Sequence, residues 1–201
     1  MGSWWDAGEI QETIKALPDG CILCLDEAYL EFAPPGTAPG LDVSDPRVLR
    51  FRAFSKAYGL AGCRIGYAIG EAGLIKSFDK IRNHFGVNRI AQAGALAALA
   101  DQSYIAEVVA KVAAARSRIG AIAESHGLVT LPSATNFVTI DCGCDGDFAR
   151  GVMAELIARD IFVRMPGVAP LDRCIRVTAG TKADLDLFEA RFPDALAAAA
   201  K

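Results

Sequence analysis

Lys56 is the first residue of the sequence that could act as a nucleophile. It lies in the segment Ser-Lys-Ala-Tyr-Gly-Leu-Ala-Gly, among small residues and next to the predicted end of a strand. A lysine in a partly desolvated pocket has a lowered pKa, because burial disfavours its charged form. The free amine can then attack a carbonyl carbon and form a Schiff base. The alternative for a lone lysine is a solvated surface position.

Asp26 and Arg64 strengthen the chemical interpretation of Lys56. Asp26 follows a short apolar run, and a carboxylate at the end of a buried strand can pair with a protonated ring nitrogen. Arg64 lies shortly after the lysine, and a guanidinium group can bind a phosphate through two donors. Together the three residues offer what pyridoxal phosphate requires of a protein: a Schiff-base lysine, a pyridinium partner and a phosphate anchor.

An α/β fold would position these residues. The continuous apolar run at 21–25 predicts a strand buried on both faces, as in a parallel sheet. Residues 47–54 and 64–70 predict two further strands. Polar side chains at the carboxyl ends of such strands lie where open α/β sheets bind their ligands. Asp26 and Lys56 are therefore expected at the same edge of the sheet.

The remaining elements fall into two groups. In the first half, we predict helices over 4–17, with a capping box formed by Ser3 and Asp6, over 72–83, and over 88–125 as one or two long helices. In the second half, shorter elements predict a small α+β layer. Its strands are expected at 136–141, 161–164 and 174–178, its helices at 148–159 and 182–192, and a fraying helix end at 194–201.

Composition bounds the class of protein. The chain has 201 residues, of which 52% are hydrophobic and 22% charged, so it can bury a large core and is expected to be soluble. A net charge of −3 gives no electrostatic reason to expect nucleic acid or an anionic membrane as a partner. The most apolar stretch, 90–100, is too short for a membrane span, and the start lacks the pattern of a signal peptide. A small-molecule substrate and a cytoplasmic location are expected.

Six cysteines are interpreted as small buried residues in a reducing compartment. Cys21 and Cys24 form a C-x-x-C pair, and Cys142 and Cys144 form a C-x-C pair, but their separation does not match a zinc site. No metal is expected. A redox protein built on Cys21 and Cys24 would require accessible thiols, and the predicted burial of the first strand argues against it.

Three segments of the chain carry recognisable motifs: 25–32, with Asp-Glu-Ala-Tyr, 54–67, with Ser-Lys-Ala-Tyr-Gly-Leu-Ala-Gly-Cys-Arg, and 175–181, with Ile-Arg-Val-Thr. These segments resemble those of the histidinol-phosphate aminotransferases, which are class I/II, fold type I enzymes that depend on pyridoxal phosphate. They occur in the family's order, and the resemblance extends over nearly the whole chain. It implies pyridoxal 5'-phosphate as the cofactor and transfer of an amino group between an amino donor and a 2-oxo acid.

The resemblance also implies roles for individual residues in cofactor binding. Lys56 is similar to the lysine that forms the Schiff base with the cofactor and moves the proton of the substrate α-carbon. Asp26 resembles the partner of the pyridinium nitrogen, and Tyr29 the donor to the cofactor phenolate. Ser55 and Arg64 resemble the phosphate ligands. The family usually has a hydroxyl residue three positions before the lysine, but this chain has Ala53.

Three further residues are expected to bind the substrate. Arg176 is similar to the arginine that binds the substrate α-carboxylate, and its fork of donors suits a carboxylate. Arg164 lies near the position of an arginine that binds the substrate phosphate, in a loop that is shorter here. Asn136 matches an asparagine near the substrate, with a structural cap as the alternative. The histidines His84 and His126 are interpreted as solvated or capping residues.

The implied fold is a partial fold type I large domain, with a mixed, mostly parallel sheet, followed by a small carboxyl-terminal α+β domain. We assign residues 1–95 to the remaining half of the cofactor-binding domain and 96–201 to the connecting helix and the small domain. The chain starts at residues that resemble the family's mid-domain turn, so it is expected to correspond to the carboxyl-terminal half of an aminotransferase. Little or no turnover is expected from the chain alone, and a homodimer is expected for the full-length parent.

Two other functions remain open at this level. A different activity of the same family, such as decarboxylation of an amino-acid phosphate or aromatic transamination, would use the same cofactor residues. A catalytically silent binding or oligomerisation module is the alternative from another class. A bound cofactor that absorbs visible light would distinguish an enzyme from a silent module.

Overall fold

The computed structural model describes residues 1–40 and 42–200, which form two compact units. The first unit is Trp4–Val109, and the second joins Met1–Ser3 to Ala110–Lys201. The division lies inside a long helix, beyond the predicted boundary at 95/96. The assignment of a function to each half of the chain stays a prediction.

The first unit contains a three-stranded mixed sheet. Strand β1 (Leu23–Asp26) runs parallel to β2 (Val48–Ala53), which is antiparallel to β3 (Gly66–Gly70). A mixed sheet is confirmed, with one parallel and one antiparallel pair. Within the described ranges, β1 and β3 form the two edges of this sheet and pair with no further strand.

The helices of the first unit begin at polar caps. Helix α1 (Ala7–Lys15) has its capping box at Asp6 and Glu9, so the prediction of Ser3 and Asp6 was wrong. The Asp6 carboxylate accepts from the Glu9 N–H at 2.9 Å, and Glu9 returns the contact at 3.0 Å. Helix α2 spans Ala72–Ser77 and is followed by a 3₁₀ turn at Phe78–Lys80.

The predicted long helix over 88–125 consists of two helices. Helix α3 spans Arg89–Ala100 and α4 spans Gln102–Ser125. Asp101 separates them, and its carboxylate accepts from the Tyr104 N–H at 3.0 Å. A cap of this kind satisfies an orphan donor at the start of α4 and so fixes the break.

Strand β1 is not buried on both faces, which corrects the prediction for 21–25. Leu23 and Leu25 are half-buried, whereas Cys24 and Asp26 are exposed. The alternation arises because successive side chains of a strand point to opposite faces and only one face of β1 is packed.

All six cysteines are free, and Cys21, Cys24 and Cys144 are exposed rather than buried. Burial is confirmed for Cys142, where it raises the pKa of the thiol to about 12, and for Cys174.

The second unit contains an antiparallel sheet covered by two helices. The strands lie in the order β4 (Val129–Leu131), β5 (Phe137–Asp141) and β6 (Cys174–Thr178), with α5 at Gly146–Ile157 and α6 at Lys182–Ala199. Strand β4 was not predicted. The predicted strand at 161–164 forms only one bridge, between Arg164 and Arg176.

The core of the second unit lies between its sheet and its helices. Ile140 and Ile175 of the sheet and Leu156 of α5 are fully buried, as are Phe188 and Phe192 of α6, whose rings stack at 4.7 Å.

Helix α6 continues through Pro193 to Ala199, so the predicted fraying from 194 onwards was wrong for the described residues. Burial of Ala195 after the proline compensates for the lost main-chain donor, and Lys201 lies outside the described residues.

The first three residues pack against the second unit. The Ala134 N–H donates to the Gly2 carbonyl at 2.8 Å, and the Thr139 hydroxyl donates to the Met1 carbonyl at 3.1 Å. Gly2 has φ of 102°, and a Cβ at this position would lie 2.6 Å from the Ser133 hydroxyl. Glycine is therefore required there both by conformation and by space.

A buried ion network joins the strands of the first unit. Glu27, directly after β1, accepts from the Arg50 Nε and Nη2 atoms at 2.8 and 2.6 Å and from the Arg52 Nε atom at 3.0 Å. Glu31 lies close to this network. Its Oε2 atom is buried and accepts no hydrogen bond from the described residues. Burial raises the pKa of Glu31, and the charge of Glu27 adds to that effect, while Arg52 opposes it.

Across the described residues, no helix is long and apolar enough to cross a membrane.

Replacing Phe192 by alanine is expected to lower the free energy of unfolding of the second unit by about 3–5 kcal/mol, because a fully buried ring leaves a cavity. Urea denaturation followed by circular dichroism measures this loss. Leu187→Ala, on the same helix but exposed, is the matched control and should change stability by less than about 0.5 kcal/mol. Equal losses in both variants would contradict the packing described here.

Replacing Glu31 by glutamine is expected to stabilise the protein at pH 7. The pKa of Glu31 is raised in the folded state, so folding favours its protonated form and stability falls as the pH rises from 4.5 through the raised value. Glutamine mimics the protonated form, and the difference between variant and wild type should vanish below pH 4.5. Unfolding in urea across this pH range tests the expectation. Exposed Glu12→Gln is the control, and a stabilisation that is the same at every pH would refute the role of Glu31 ionisation.

Candidate active site

A single loop carries three of the candidate residues. Residues 54–65 connect β2 to β3, and the loop is closed at its base by the pairing of Ala53 with Gly66. A Cβ at position 66 would lie 2.7 Å from the Arg52 carbonyl oxygen, so only glycine allows this close pairing. Ser55 and Lys56 lie at the start of the loop and Arg64 at its end.

Main-chain hydrogen bonds fold the loop back on itself. The Leu60 N–H donates to the Phe54 carbonyl at 2.9 Å, and the Cys63 N–H donates to the Leu60 carbonyl at 3.0 Å. Gly59, which directly precedes Leu60, has φ of 69°, in the left-handed region that favours glycine. The Gly-Leu-Ala-Gly part of the sequence motif therefore has a structural reason for its first glycine.

Lys56 is half-buried and faces an aromatic ring. Its Nζ atom lies 5.1 Å from the centroid of the Tyr29 ring, within the range of a cation–π contact. Among the described residues no carboxylate forms a salt bridge with Lys56. The structure therefore brings together Lys56 and Tyr29, two of the residues predicted from the sequence.

Asp26 lies at the same end of the sheet as Lys56, where both β1 and β2 finish. It is the last residue of β1 and pairs in parallel register with Phe51, shortly before β2 leads into the loop. Its Oδ1 atom accepts from the Ala28 N–H at 3.0 Å, which holds the carboxylate against the turn that follows the strand. The Asp26 side chain is exposed. The strand register supports the expectation that Asp26 and Lys56 lie at the same end of the sheet.

Arg64 has an unusual backbone conformation. Its φ and ψ are 52° and 51°, and a residue other than glycine is uncommon in this left-handed region. The Arg64 Nη1 atom donates to the Ala61 carbonyl at 2.9 Å, and the side chain is exposed. Strain of this kind occurs preferentially at ligand sites, which makes the observation a pointer to function.

The loop rests on aromatic side chains that sequence reasoning missed. The buried Phe54 ring lies 5.0 Å from the Tyr58 ring and 5.6 Å from the Tyr67 ring. Burial raises the pKa of Tyr58, and the negative charge of Glu31 adds to the effect. The sequence signal for a packed layer beneath this loop was the presence of five aromatic residues within 54–67 and 29–32.

Sequence reasoning also missed the ion pairs that Glu27 forms with Arg50 and Arg52. Arg50 and Arg52 alternate within β2 and so share one face of the sheet. Two arginines on one face of a largely apolar strand need a buried acid, and Glu27 directly after β1 is that acid. The alternate spacing of Arg50 and Arg52 in the sequence was therefore a signal that a buried acid faces β2.

The three candidate substrate residues lie together in the second unit. Arg164 and Arg176 are bridged through their main chains, and the guanidinium of Arg176 lies 4.4 Å from the Phe137 ring centroid. Asn136 immediately precedes β5, and its main-chain carbonyl accepts from the Ala179 N–H at 2.8 Å. Arg164 is exposed, whereas Arg176 and Asn136 are half-buried.

Metal binding and thiol redox chemistry are the two other kinds of chemistry that the cysteines of the sequence raise. Within residues 1–40 and 42–200, no group of three or more His, Cys, Asp or Glu side chains could hold a metal ion. Cys21 and Cys24 are exposed, so the burial argument against a redox role for this pair was wrong. The redox alternative thus stays a hypothesis that depends on the reactivity of these two thiols in the native state.

Comparisons with known proteins identify the family of this chain. Residues 1–192 match the family described as aminotransferase class I and II. A histidinol-phosphate aminotransferase from Geobacillus thermodenitrificans is 38% identical over 92% of this chain and 51% of its own length. Histidinol-phosphate aminotransferase 1 of Mesorhizobium japonicum is 36% identical over 94% of this chain and 52% of its own length. The chain therefore spans about half the length of these curated relatives.

A solved structure shows the same fold over almost all of this chain. It is the histidinol-phosphate aminotransferase of Sinorhizobium meliloti in complex with pyridoxal-5'-phosphate, which is 52% identical and superposes with a TM-score of 0.96. The match covers 98% of this chain and 55% of that one. A partial fold type I architecture is thereby confirmed, and the chain belongs to the class I and II aminotransferase family.

Proposed function

We propose that the protein is a pyridoxal-phosphate-dependent aminotransferase of the histidinol-phosphate type, which acts in the cytoplasm and transfers an amino group between an amino donor and a 2-oxo acid. The observation that carries the proposal is the position of Lys56. It lies over the Tyr29 ring, on the loop that also carries Ser55 and Arg64, at the sheet edge where β1 ends in Asp26. Open α/β sheets bind ligands at this edge.

The donor set at this edge fits the cofactor. A phosphate dianion is matched by the hydroxyl of Ser55 and the guanidinium of Arg64, which lie on one loop. A pyridinium nitrogen is matched by the exposed carboxylate of Asp26, and a phenolate oxygen by the hydroxyl of Tyr29. The amine of Lys56 forms no salt bridge with a described carboxylate, which leaves it available to bond an aldehyde carbon. Ala53 offers no hydroxyl, so one donor that the family usually supplies is absent at that position.

Each residue would have a distinct task. When bound, pyridoxal phosphate supplies an electron sink for a negative charge that develops at the substrate α-carbon. Lys56 would take the proton from that carbon and return it, a general acid–base contribution of about 10²–10⁴-fold. Asp26 would hold a proton on the ring nitrogen, and Tyr29 would orient the ring through its phenol group. Ser55 and Arg64 would fix the phosphate and thereby the position of the whole ring.

Substrate recognition is proposed for the second unit. Arg176 would bind the substrate α-carboxylate, since its guanidinium is held against the Phe137 ring and keeps a fixed fork of donors. Arg164, bridged to Arg176, would bind the second anionic group of the substrate, and Asn136 would contact the substrate beside them. A decarboxylase or aromatic aminotransferase would use the same cofactor residues, so the substrate assignment depends on Arg164.

The working form is proposed to be a homodimer of a longer chain. The described residues correspond to about half of the curated relatives, so little or no turnover is expected from residues 1–201 alone. Robust transamination by this chain in isolation would contradict that expectation, although it would support the assigned reaction.

Borohydride reduction in the presence of pyridoxal phosphate is expected to label Lys56, because its amine is half-buried and held next to Tyr29. Peptide mass analysis would locate the adduct. Lys56→Ala should abolish the specific label, whereas Lys182→Ala, an exposed lysine of the second unit, should leave it unchanged. Labelling spread over many lysines would be the result that rejects a formed cofactor pocket.

Replacing Arg64 by glutamine is expected to weaken binding of pyridoxal phosphate by about 10–100-fold, the range for loss of a charge-assisted hydrogen bond. Binding of pyridoxal, which has no phosphate, should not change. Titration by absorbance or fluorescence compares the two ligands. Arg82→Gln, an exposed arginine of the same unit, is the control. An equal loss of affinity for both ligands would show that Arg64 acts on the loop and not on the phosphate.

A further inference from the structure

A short turn in the second unit carries Asn136 into strand β5. The Ser133 hydroxyl donates to the Phe137 carbonyl at 2.5 Å and accepts from the Thr135 N–H at 3.2 Å. The Phe137 N–H donates to the Thr135 hydroxyl at 3.3 Å. Hydroxyl side chains of this kind stabilise turns by bonding to nearby main-chain groups. None of these bonds involves the carbonyl of Thr135, which faces a different partner.

Arg116 supplies the donor for that carbonyl. Its Nη1 atom donates to the Thr135 carbonyl oxygen at 2.9 Å. Thr135 is only 6% exposed, and a buried main-chain carbonyl without a donor destabilises the fold. Arg116 is half-buried, and burial lowers the pKa of its guanidinium, but an arginine stays charged at neutral pH. A charged donor forms a stronger hydrogen bond than a neutral one, so this contact restrains the turn tightly.

The backbone of Arg116 is held by the core of the second unit. Arg116 lies in α4, and its neighbours Ala115 and Ile119 on that helix are buried. Both belong to the same core cluster as Val138 of β5, which follows the turn. Because the helix and the strand share one core, the arginine reaches the turn from a fixed position. A side chain on a rigid element orients its partner more precisely than one on a loop.

Asn136 lies between two main-chain carbonyls that are both held. The Thr135 carbonyl, bonded to Arg116, belongs to the peptide unit before Asn136. The carbonyl of Asn136 itself belongs to the unit after it, and it accepts from the Ala179 N–H at 2.8 Å. Each peptide unit is planar, so the orientations of the two units determine φ and ψ of the residue between them. Arg116 thus fixes one of the two rotations that direct the Asn136 side chain.

The same turn bears on Arg176. The Phe137 ring, directly after Asn136, is 7% exposed and lies 4.4 Å from the Arg176 guanidinium. We infer that Arg116 is the positioning residue of this turn. It orients Asn136 directly and the Arg176 guanidinium through the Phe137 ring. The value of this arrangement for substrate binding rests on the proposed function, which assigns Asn136 and Arg176 to the substrate.

Side-chain NMR of residues 1–201 tests the inference without any ligand. Protons of a guanidinium over an aromatic ring resonate upfield, so the Arg176 signals report its contact with Phe137. Arg116→Met keeps an apolar stem and removes the donors. It is expected to abolish the upfield shift of Arg176 and to speed hydrogen exchange of the Ala179 N–H by about tenfold. Because no cofactor or substrate is present, failure of the proposed aminotransferase function would leave these results unaffected.

Two further variants separate positioning from a general loss of stability. Arg118→Met, on the same helix, removes ion pairs with Asp186 and Glu189 and should leave both signals unchanged. Arg116→Lys keeps a charged donor and should restore most of the upfield shift of Arg176. Circular dichroism verifies that each variant is folded. If Arg116→Met does not fold, Arg116→Gln and Arg118→Gln provide the same comparison.

Three results would overturn the inference. An Arg176 signal that stays upfield in folded Arg116→Met would show that the turn holds the Phe137 ring without the arginine. Equal changes in Arg118→Met would assign the effect to the loss of a charge on α4 and not to the bond with Thr135. A spectrum of Arg116→Lys that matches Arg116→Met would show that a donor at this position does not orient the turn.

Discussion

The buried carboxylate of Glu27 joins the strand that ends in Asp26 to the strand that leads into Lys56. Glu27 follows Asp26 directly, and it accepts three hydrogen bonds from Arg50 and Arg52 of the neighbouring strand. Arg50 also donates to the carbonyls of Pro39 and Gly40, so the loop between the two strands is held as well. This acid therefore adds a side-chain constraint to the main-chain pairing that sets the relative position of the strand ends near Asp26 and Lys56.

The burial of Glu27 and Arg50 explains why their ion pair can fix the arrangement of the two strands. The side chains of Glu27 and Arg50 are each less than a tenth exposed, so both charges have lost most of their hydration. Removing one partner of such a pair costs about 3–5 kcal/mol, because the other charge stays buried without compensation. A pair of this kind permits one arrangement of the strands and penalises the others. Apolar side chains at these positions would pack with less dependence on register.

The sequence predicted those features that depend on local patterns or short motifs. The strand at 174–178 and the start of the last helix at 182 have the bounds that the sequence predicted. Lys56 and Tyr29 were predicted as site residues from the motif alone, and their contact is a finding of the structure. The strand register also agrees with the expected position of Asp26.

Errors arose where distant contacts decide the outcome. Burial of β1 was predicted from its apolar composition, but the extent of its cover depends on which elements pack against it. Helix α6 continues through Pro193 because Phe192 and Ala195 are buried against the rest of their unit, and this packing outweighs the local effect of proline. The network around Glu27 joins residues that are more than twenty positions apart, so the spacing of Arg50 and Arg52 could indicate the need for a buried acid but not which residue supplies it.

The two units differ in a way that bears on the chemistry. The second unit has a closed core, whereas the first carries Lys56, Asp26 and Arg64 together with an exposed sheet face and an exposed apolar helix. A lysine gains nucleophilic character when its surroundings exclude water, because desolvation favours the neutral amine. Lys56 is only half-buried, so the loop and the Tyr29 ring cover only part of its side chain. The structure places Lys56 beside Tyr29, at the end of the sheet where β1 finishes in Asp26, and the proposed cofactor site rests on that arrangement.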